Sequence, residues 1–200
     1  ETRRCPHSRK CGGCQLQNLT YAEQLEWKNR LCVKLLGRFA HVEPILGMEN
    51  PYHYRNKVQA AFGTTRAGRT ISGIYQSSTH NIVAVDSCMT EDRTADKIIV
   101  DIRRLLADFK MTTYNEVTGR GFLRHVLVKR GFATNEVMVV LVTGTPIFPA
   151  RNNFLRALLK LHPEITTVVQ NVNDRYTSML LGPSERRSTA PASSRTCSAG

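Results

Sequence analysis

The run GFLRHVLVKRG (residues 121–131), the turn FATN (132–135) and the run EVMVVLVTG (136–144) decide the fold. The two apolar runs read as strands of one hairpin around that turn. Upstream, residues 54–62, 70–76 and 80–86 read as three short strands, split by TTRAG and by SST. Residues 91–109 have helical period, with Ile98, Ile102, Leu105 and Leu106 on one side. Residues 20–39 read as an amphipathic helix opened by a Thr20/Glu23 capping box, with Leu25, Cys32, Leu35, Leu36 and Phe39 at helical spacing, which makes Cys32 a core residue. Downstream, a helix over 150–161 precedes two strands, TTVVQNVN (166–173) and YTSMLLG (176–182).

The order of elements is that of a mixed α+β protein, its sheet covered by helices and preceded by a cysteine-rich loop and helix. No Gly-rich strand-to-helix turn of dinucleotide or S-adenosylmethionine type is visible, and no Walker sequence. A Rossmann-like domain is therefore expected to be absent.

Lys and Arg outnumber Asp and Glu 28 to 16, a net charge of +12 spread along the chain. Such an excess points to a polyanionic partner, held by release of counterions from phosphates, or else to a basic surface that serves solubility. No apolar run approaches the roughly 20 residues that span a bilayer, so a cytoplasmic setting without a membrane partner is expected. No obligate protein partner is evident. The six cysteines, in such a setting, point to metal ligation or redox work rather than to disulfides.

Three of them, Cys5, Cys11 and Cys14, fall in CPHSRKCGGCQLQ (5–17). An iron-sulfur cluster needs several thiolates converging on a compact core, and Gly12 and Gly13 allow the sharp bend this requires. Cys88, at the end of NIVAVDSC, is the best placed fourth ligand. A structural zinc site is the alternative, with His7 able to replace one cysteine, although no second CxxC or HxxxH completes the usual pair of knuckles.

The pattern Cx5CGGC followed by Gln15 and Gln17, the remote cysteine in VDSC, and the hairpin of 121–144 resemble the bacterial RNA uracil-5-methyltransferases that use S-adenosylmethionine, in the iron-sulfur branch acting on 23S ribosomal RNA. The resemblance covers residues 5 to about 181. It implies a [4Fe-4S] cluster on Cys5, Cys11, Cys14 and Cys88, structural or RNA-related in role, and RNA, ribosomal in kind, as partner. It also implies a reaction in which a thiolate attacks C6 of an unstacked uracil, a base removes the C5 proton and S-adenosylmethionine supplies the methyl group. In the family these parts lie in a C-terminal domain, so this chain is expected to be an inactive front portion. The alternative is a complete, metal-stabilised RNA-binding module without enzymatic activity.

YHYRNK (52–57) sets two tyrosines and a histidine beside Arg55 and Lys57, a mixture that stacks on bases and holds phosphates, or that merely faces solvent from a strand. With the resemblance, Arg55, Lys57, Arg124, Lys129 and Arg130 are the expected RNA contacts. His125 reads equally as a histidine satisfied within the sheet.

Three regions follow: a cysteine-rich cluster loop and helix (1–48), a central α+β RNA-side domain (49–181) and a tail of Ser, Ala, Pro and Arg (182–200), low in complexity and expected to be disordered. Cys197, in that tail, lacks the surroundings of a catalytic nucleophile. One choice of synonymous codons for Arg187 to Gly200 reads LYGPGFIEDVLCG in a shifted frame, which resembles the way the family continues. A frame error near residues 183–187 is the expectation that follows.

Overall fold

The computed structural model describes residues 5–177 and 179–189. Its elements are α1 (Tyr21–Leu36), β1 (Lys57–Thr64), β2 (Thr70–Tyr75), β3 (Ile82–Ala84), α2 (Arg93–Asp108), β4 (Leu123–Arg130), β5 (Val137–Thr143), α3 (Arg151–Leu161), β6 (Ile165–Val172) and β7 (Ser184–Thr189). The strands form one seven-stranded sheet in the order β3-β2-β1-β4-β5-β6-β7. Every neighbouring pair is antiparallel except β5 and β6, which run parallel and are joined through α3. A parallel pair requires such a crossover, because a tight turn can only reverse the chain.

Side-chain alternation divides the sheet into two unlike faces. One carries Val58, Ala60 and Phe62 of β1, Val126 and Val128 of β4, Val137, Val139 and Leu141 of β5 and Val168 of β6, all buried in one core with α2 and α3. Ile98, Ile102 and Leu106 of α2 are fully buried there at helical spacing. Each such side chain contributes roughly 1.5–3 kcal/mol on leaving water. The helix opens at Asp92, whose carboxylate accepts from the Thr94 and Ala95 amides at 3.0 and 3.1 Å. The same carboxylate takes a 2.8 Å bond from Arg130, fixing the helix start to the end of β4.

The opposite face holds a smaller cluster of Leu127, Val140 and Val142 with Met138 and Val169, drawn from strands alone. In register beside it, Lys57 on β1 stands directly across from Lys129 on β4, both exposed.

The structure corrects several expectations. The expected α+β layout with no Rossmann-like part gives way to a single seven-stranded mixed sheet with helices. The chain leaves β5 for α3 through Thr145 and Pro146. YTSMLLG is not a strand among the described residues; the next strand is β7, inside the segment read as a disordered tail. Its backbone pairs with β6 from Thr167↔Thr189 to Val172↔Ser184. Cys197 lies outside the described residues.

Helix α1 has the expected capping box: Glu23 N–H donates to Thr20 Oγ1 at 3.2 Å, and Thr20 N–H to Glu23 Oε2 at 2.6 Å. It buries no residue, however, and Cys32 is exposed rather than in the core. Periodicity creates an apolar stripe, and among the described residues no helix or sheet packs over it. Tyr21 Oη instead accepts from the Met48 amide at 2.7 Å, and Asn29 Oδ1 from the Ile45 amide at 3.1 Å, so the following loop lies back along the helix.

Candidate cysteine site and nucleic-acid interface

The loop from Cys5 to Cys14 is held by its own backbone: Ser8 N–H donates to Cys5 O, and the Lys10 and Cys11 amides both to His7 O. Cys11 then pairs with Gln76 just beyond β2. Gly12 is needed at this crossing, because a Cβ there would stand 3.1 Å from Ser77 N and 3.2 Å from Tyr75 O. The Gly13 amide turns back onto Cys11 Sγ at 3.4 Å.

Arg55 joins this loop to the one carrying Cys88. Its Nη2 donates to Gly13 O at 3.1 Å, while its backbone amide donates to Thr90 O and its carbonyl accepts from the Asp92 amide. Burial works against its charge, yet Tyr54, Cys14 and Cys88 beside it hold the guanidinium more firmly protonated than usual. Through Gly13 and Thr90, Arg55 links the segments that carry Cys14 and Cys88. The Cys88 amide donates to Asp96 Oδ2 at 2.8 Å, and its sulfur lies 3.4 Å from Thr90 Oγ1. Burial pushes the Cys88 thiol up. Glu91, buried beside Asp96, is pushed up to about 7 by desolvation and by that second carboxyl, whose own value is also raised by burial.

Four thiols suit an iron-sulfur cluster chemically. Their spacing does not yet form its shell: among the described residues, no three His, Cys, Asp or Glu side chains stand close enough to share a metal.

The five expected RNA contacts separate by environment. Lys57 and Lys129 are exposed side by side. Arg130 is paired with Asp92 at 2.8 Å and with Asn135 Oδ1 at 3.0 Å, and Arg55 is turned toward Gly13 O. Arg124 sits in a different environment. Its side chain is only 2% exposed, it grips Glu116 through Nε and Nη2, and its Nη1 donates to Asn173 O and Arg175 O. Its guanidinium also lies 4.3 Å over the Tyr114 ring, so it is a strut at the sheet's end and has no donor to offer a phosphate.

His125 is buried on the face that no described helix covers, and its Nδ1 has no hydrogen-bond partner among the described residues. Desolvation and then Arg124 lower its pKa to about 4, so the ring is neutral at pH 7. It meets Tyr75 edge-on at 6.0 Å, and Tyr75 meets His80 edge-on at 5.7 Å. Tyr75, Glu91 and Asp96 were not singled out in the sequence; an aromatic ending a strand two residues before a Ser-Ser-Thr turn is the faint signal that Tyr75 offered.

No family model matches the chain. It is 39% identical over 188 residues to a protein of Clostridium acetobutylicum described as an uncharacterized RNA methyltransferase, covering 90% of this chain and 41% of that one. A Bacillus cereus protein of the same description is 37% identical over 183 residues, covering 89% and 40%. The chain therefore spans about two-fifths of the curated relatives it matches. Among solved structures it resembles the Pyrococcus abyssi tRNA (uracil-54, C5)-methyltransferase in complex with S-adenosyl-L-homocysteine, with a TM-score of 0.67, 26% identity, and coverage of 86% of this chain and 39% of that one. This match overturns the expectation that a methyltransferase fold is missing. Over about nine-tenths of its length, the chain is a relative of proteins described as RNA methyltransferases.

Proposed function

We propose that this chain is the cysteine-loop and RNA-side part of an RNA uracil-5-methyltransferase that uses S-adenosylmethionine, of the iron-sulfur ribosomal RNA branch. The similarity over nine-tenths of the chain to RNA methyltransferases carries the reading. The substrate proposed is a uridine in RNA, and the setting the cytoplasm. In the whole protein, S-adenosylmethionine supplies the methyl group. We assign no methyl-transfer nucleophile among the described residues, and this chain by itself is expected to bind RNA without methylating it.

Cys5, Cys11, Cys14 and Cys88 are proposed as ligands of a [4Fe-4S] cluster. The support is positional: Gly12 and Gly13 bring the N-terminal loop against the end of β2, and Arg55 bonds to Gly13 O and Thr90 O, in the segments that carry Cys14 and Cys88. Lys57 and Lys129 are proposed as phosphate contacts, while Arg55 and Arg130 serve chiefly to hold the loops on the sheet.

The test is anaerobic purification followed by iron, sulfide and zinc analysis, with labelled S-adenosylmethionine and uridine-containing RNA added to the same preparation. Matched iron and sulfide, lost in Cys14→Ser and Cys88→Ser, and RNA binding without methyl transfer are the expected results. Zinc in place of iron overturns the cluster. Methyl transfer by this chain alone overturns the division of labour but leaves the enzyme class standing.

A further inference from the structure

Beside the cysteine loop lies an open cavity of about 380 Å³, lined by Gly12, Tyr75, Gln76, Ser77, Thr79 and His80. Its volume falls in the range of about 300–1,000 Å³ usual for small-ligand sites. Two rings, the aliphatic Ile74 and a set of amide and hydroxyl groups make its wall. No helix among the described residues covers this face of the sheet, and the aromatic row His80, Tyr75, His125 begins at the cavity and runs across it. Farther along β4, His125, Leu127 and Lys129 point to the same side, so Lys129 and its neighbour Lys57 stand about 13 Å from His125.

We propose that this face docks a single-stranded segment of RNA, with one unpaired base lodged against Tyr75 and His80 and the adjoining phosphates on Lys57 and Lys129. The inference deepens the RNA reading above and rests on it. Three features favour an unpaired strand. A duplex hides the faces of its bases, whereas stacking on exposed rings requires them free. Glu116, whose charge acts on Tyr75, is paired with Arg124 at 2.8 Å, so it does not repel a phosphate near Tyr75. The facing lysines have no carboxylate within ion-pair distance among the described residues. The cavity also shares Gly12 with the cysteine loop, so a seated base touches the loop whose cysteines are the proposed ligands.

The experiment is fluorescence anisotropy of the full chain with a labelled single-stranded oligoribonucleotide and with the same strand annealed to its complement. His80→Ala, on an exposed residue, is expected to weaken single-strand binding about tenfold, the loss of one stacking contact, without changing the salt dependence. Tyr75→Leu is expected to do the same, and Tyr75→Phe to retain binding. Lys57→Ala and Lys129→Ala are each expected to reduce the salt slope by about 0.7. Unchanged affinity in both His80→Ala and Tyr75→Leu overturns the base site while the RNA reading stands. Equal affinity for the annealed duplex also overturns it. Failure of the unsubstituted chain to bind any RNA removes the RNA reading and this inference together. Photocross-linking of a 5-iodouridine strand to the unsubstituted protein needs no variant: an adduct on Tyr75 or His80 supports the site, and adducts found only elsewhere overturn it.

Discussion

Arg124 and His125 are neighbours in sequence and meet opposite requirements. Arg124 keeps its charge in the interior because Glu116 and two carbonyls take its donors. Arg124→Met leaves Glu116 unpaired and two carbonyls without a donor, a loss of about 3 kcal/mol. The expected outcome is a clearly lower thermal midpoint with unchanged salt dependence of RNA binding. A reduced salt slope would return Arg124 to the phosphate contacts. His125 keeps its place by shedding its charge. In the unfolded chain it takes a proton near pH 6.5, but in the fold only near pH 4. Between those values the unfolded state binds more protons, so stability falls as the solution is acidified, by about 2 kcal/mol at pH 4.5. His125→Phe removes a buried nitrogen with no partner and keeps the edge contact to Tyr75. It should melt no lower than the parent at pH 7.5 and lose less stability by pH 4.5. Glu91 acts in the opposite direction, favouring the fold at low pH and less so as pH rises toward 7. The difference between the two proteins isolates the histidine.

At the level of elements, α1 and β7 show where pattern and packing part. The capping box and periodic stripe of α1 could be read from Thr20, Glu23 and the apolar spacing, because both are local. Whether another element covers the stripe is not local information, and the expectation that Cys32 is buried failed on that point. Thr20→Ala is therefore expected to fray α1, a loss of about 1 kcal/mol in that helix, and to lower helical ellipticity while the main cooperative melt of the sheet stays put. A shift of the main transition by several degrees would show α1 to be part of the core unit. The strand β7, SERRST, has no apolar alternation to announce it. It lies at the sheet's edge and is held through its backbone, where charged side chains also discourage further pairing. By contrast α2 and the β4-β5 hairpin were legible nearly to the residue, since their sequence repeats match the face they bury. Gly73 on β2 tests how closely the outer strands nest: a Cβ there would stand 1.9 Å from Val83 O. Gly73→Ala should destabilise the protein by about 3 kcal/mol or more, seen as a lower urea midpoint.

For the molecule as a whole, α2 and α3 share one face of the sheet and the partner-seeking features lie elsewhere. Trp27, Leu31 and Leu35 recur every four residues along α1 and are 42%, 40% and 58% exposed. Trp27 is the single tryptophan, so its fluorescence reports on this surface. The isolated chain is expected to self-associate through α1 as concentration rises, with a blue-shifted emission that Leu31→Glu abolishes. Emission unchanged by dilution and by Leu31→Glu would remove α1 as the contact. The candidate site was legible to the same limit. Four cysteines and two lysines stood out by residue type, yet the part of Arg55 depended on Gly13 and Cys88 arriving beside it from distant stretches. Spacing cannot report an encounter between loops more than thirty residues apart. The pairing of Lys57 with Lys129 has a thermodynamic consequence. Two like charges set opposite each other are a standing repulsion of a few tenths to about 1 kcal/mol, borne by the fold whenever no anion lies between them. Moderate salt then has two effects of opposite sign: by screening that repulsion it raises the melting temperature, while the same ions loosen the grip on RNA.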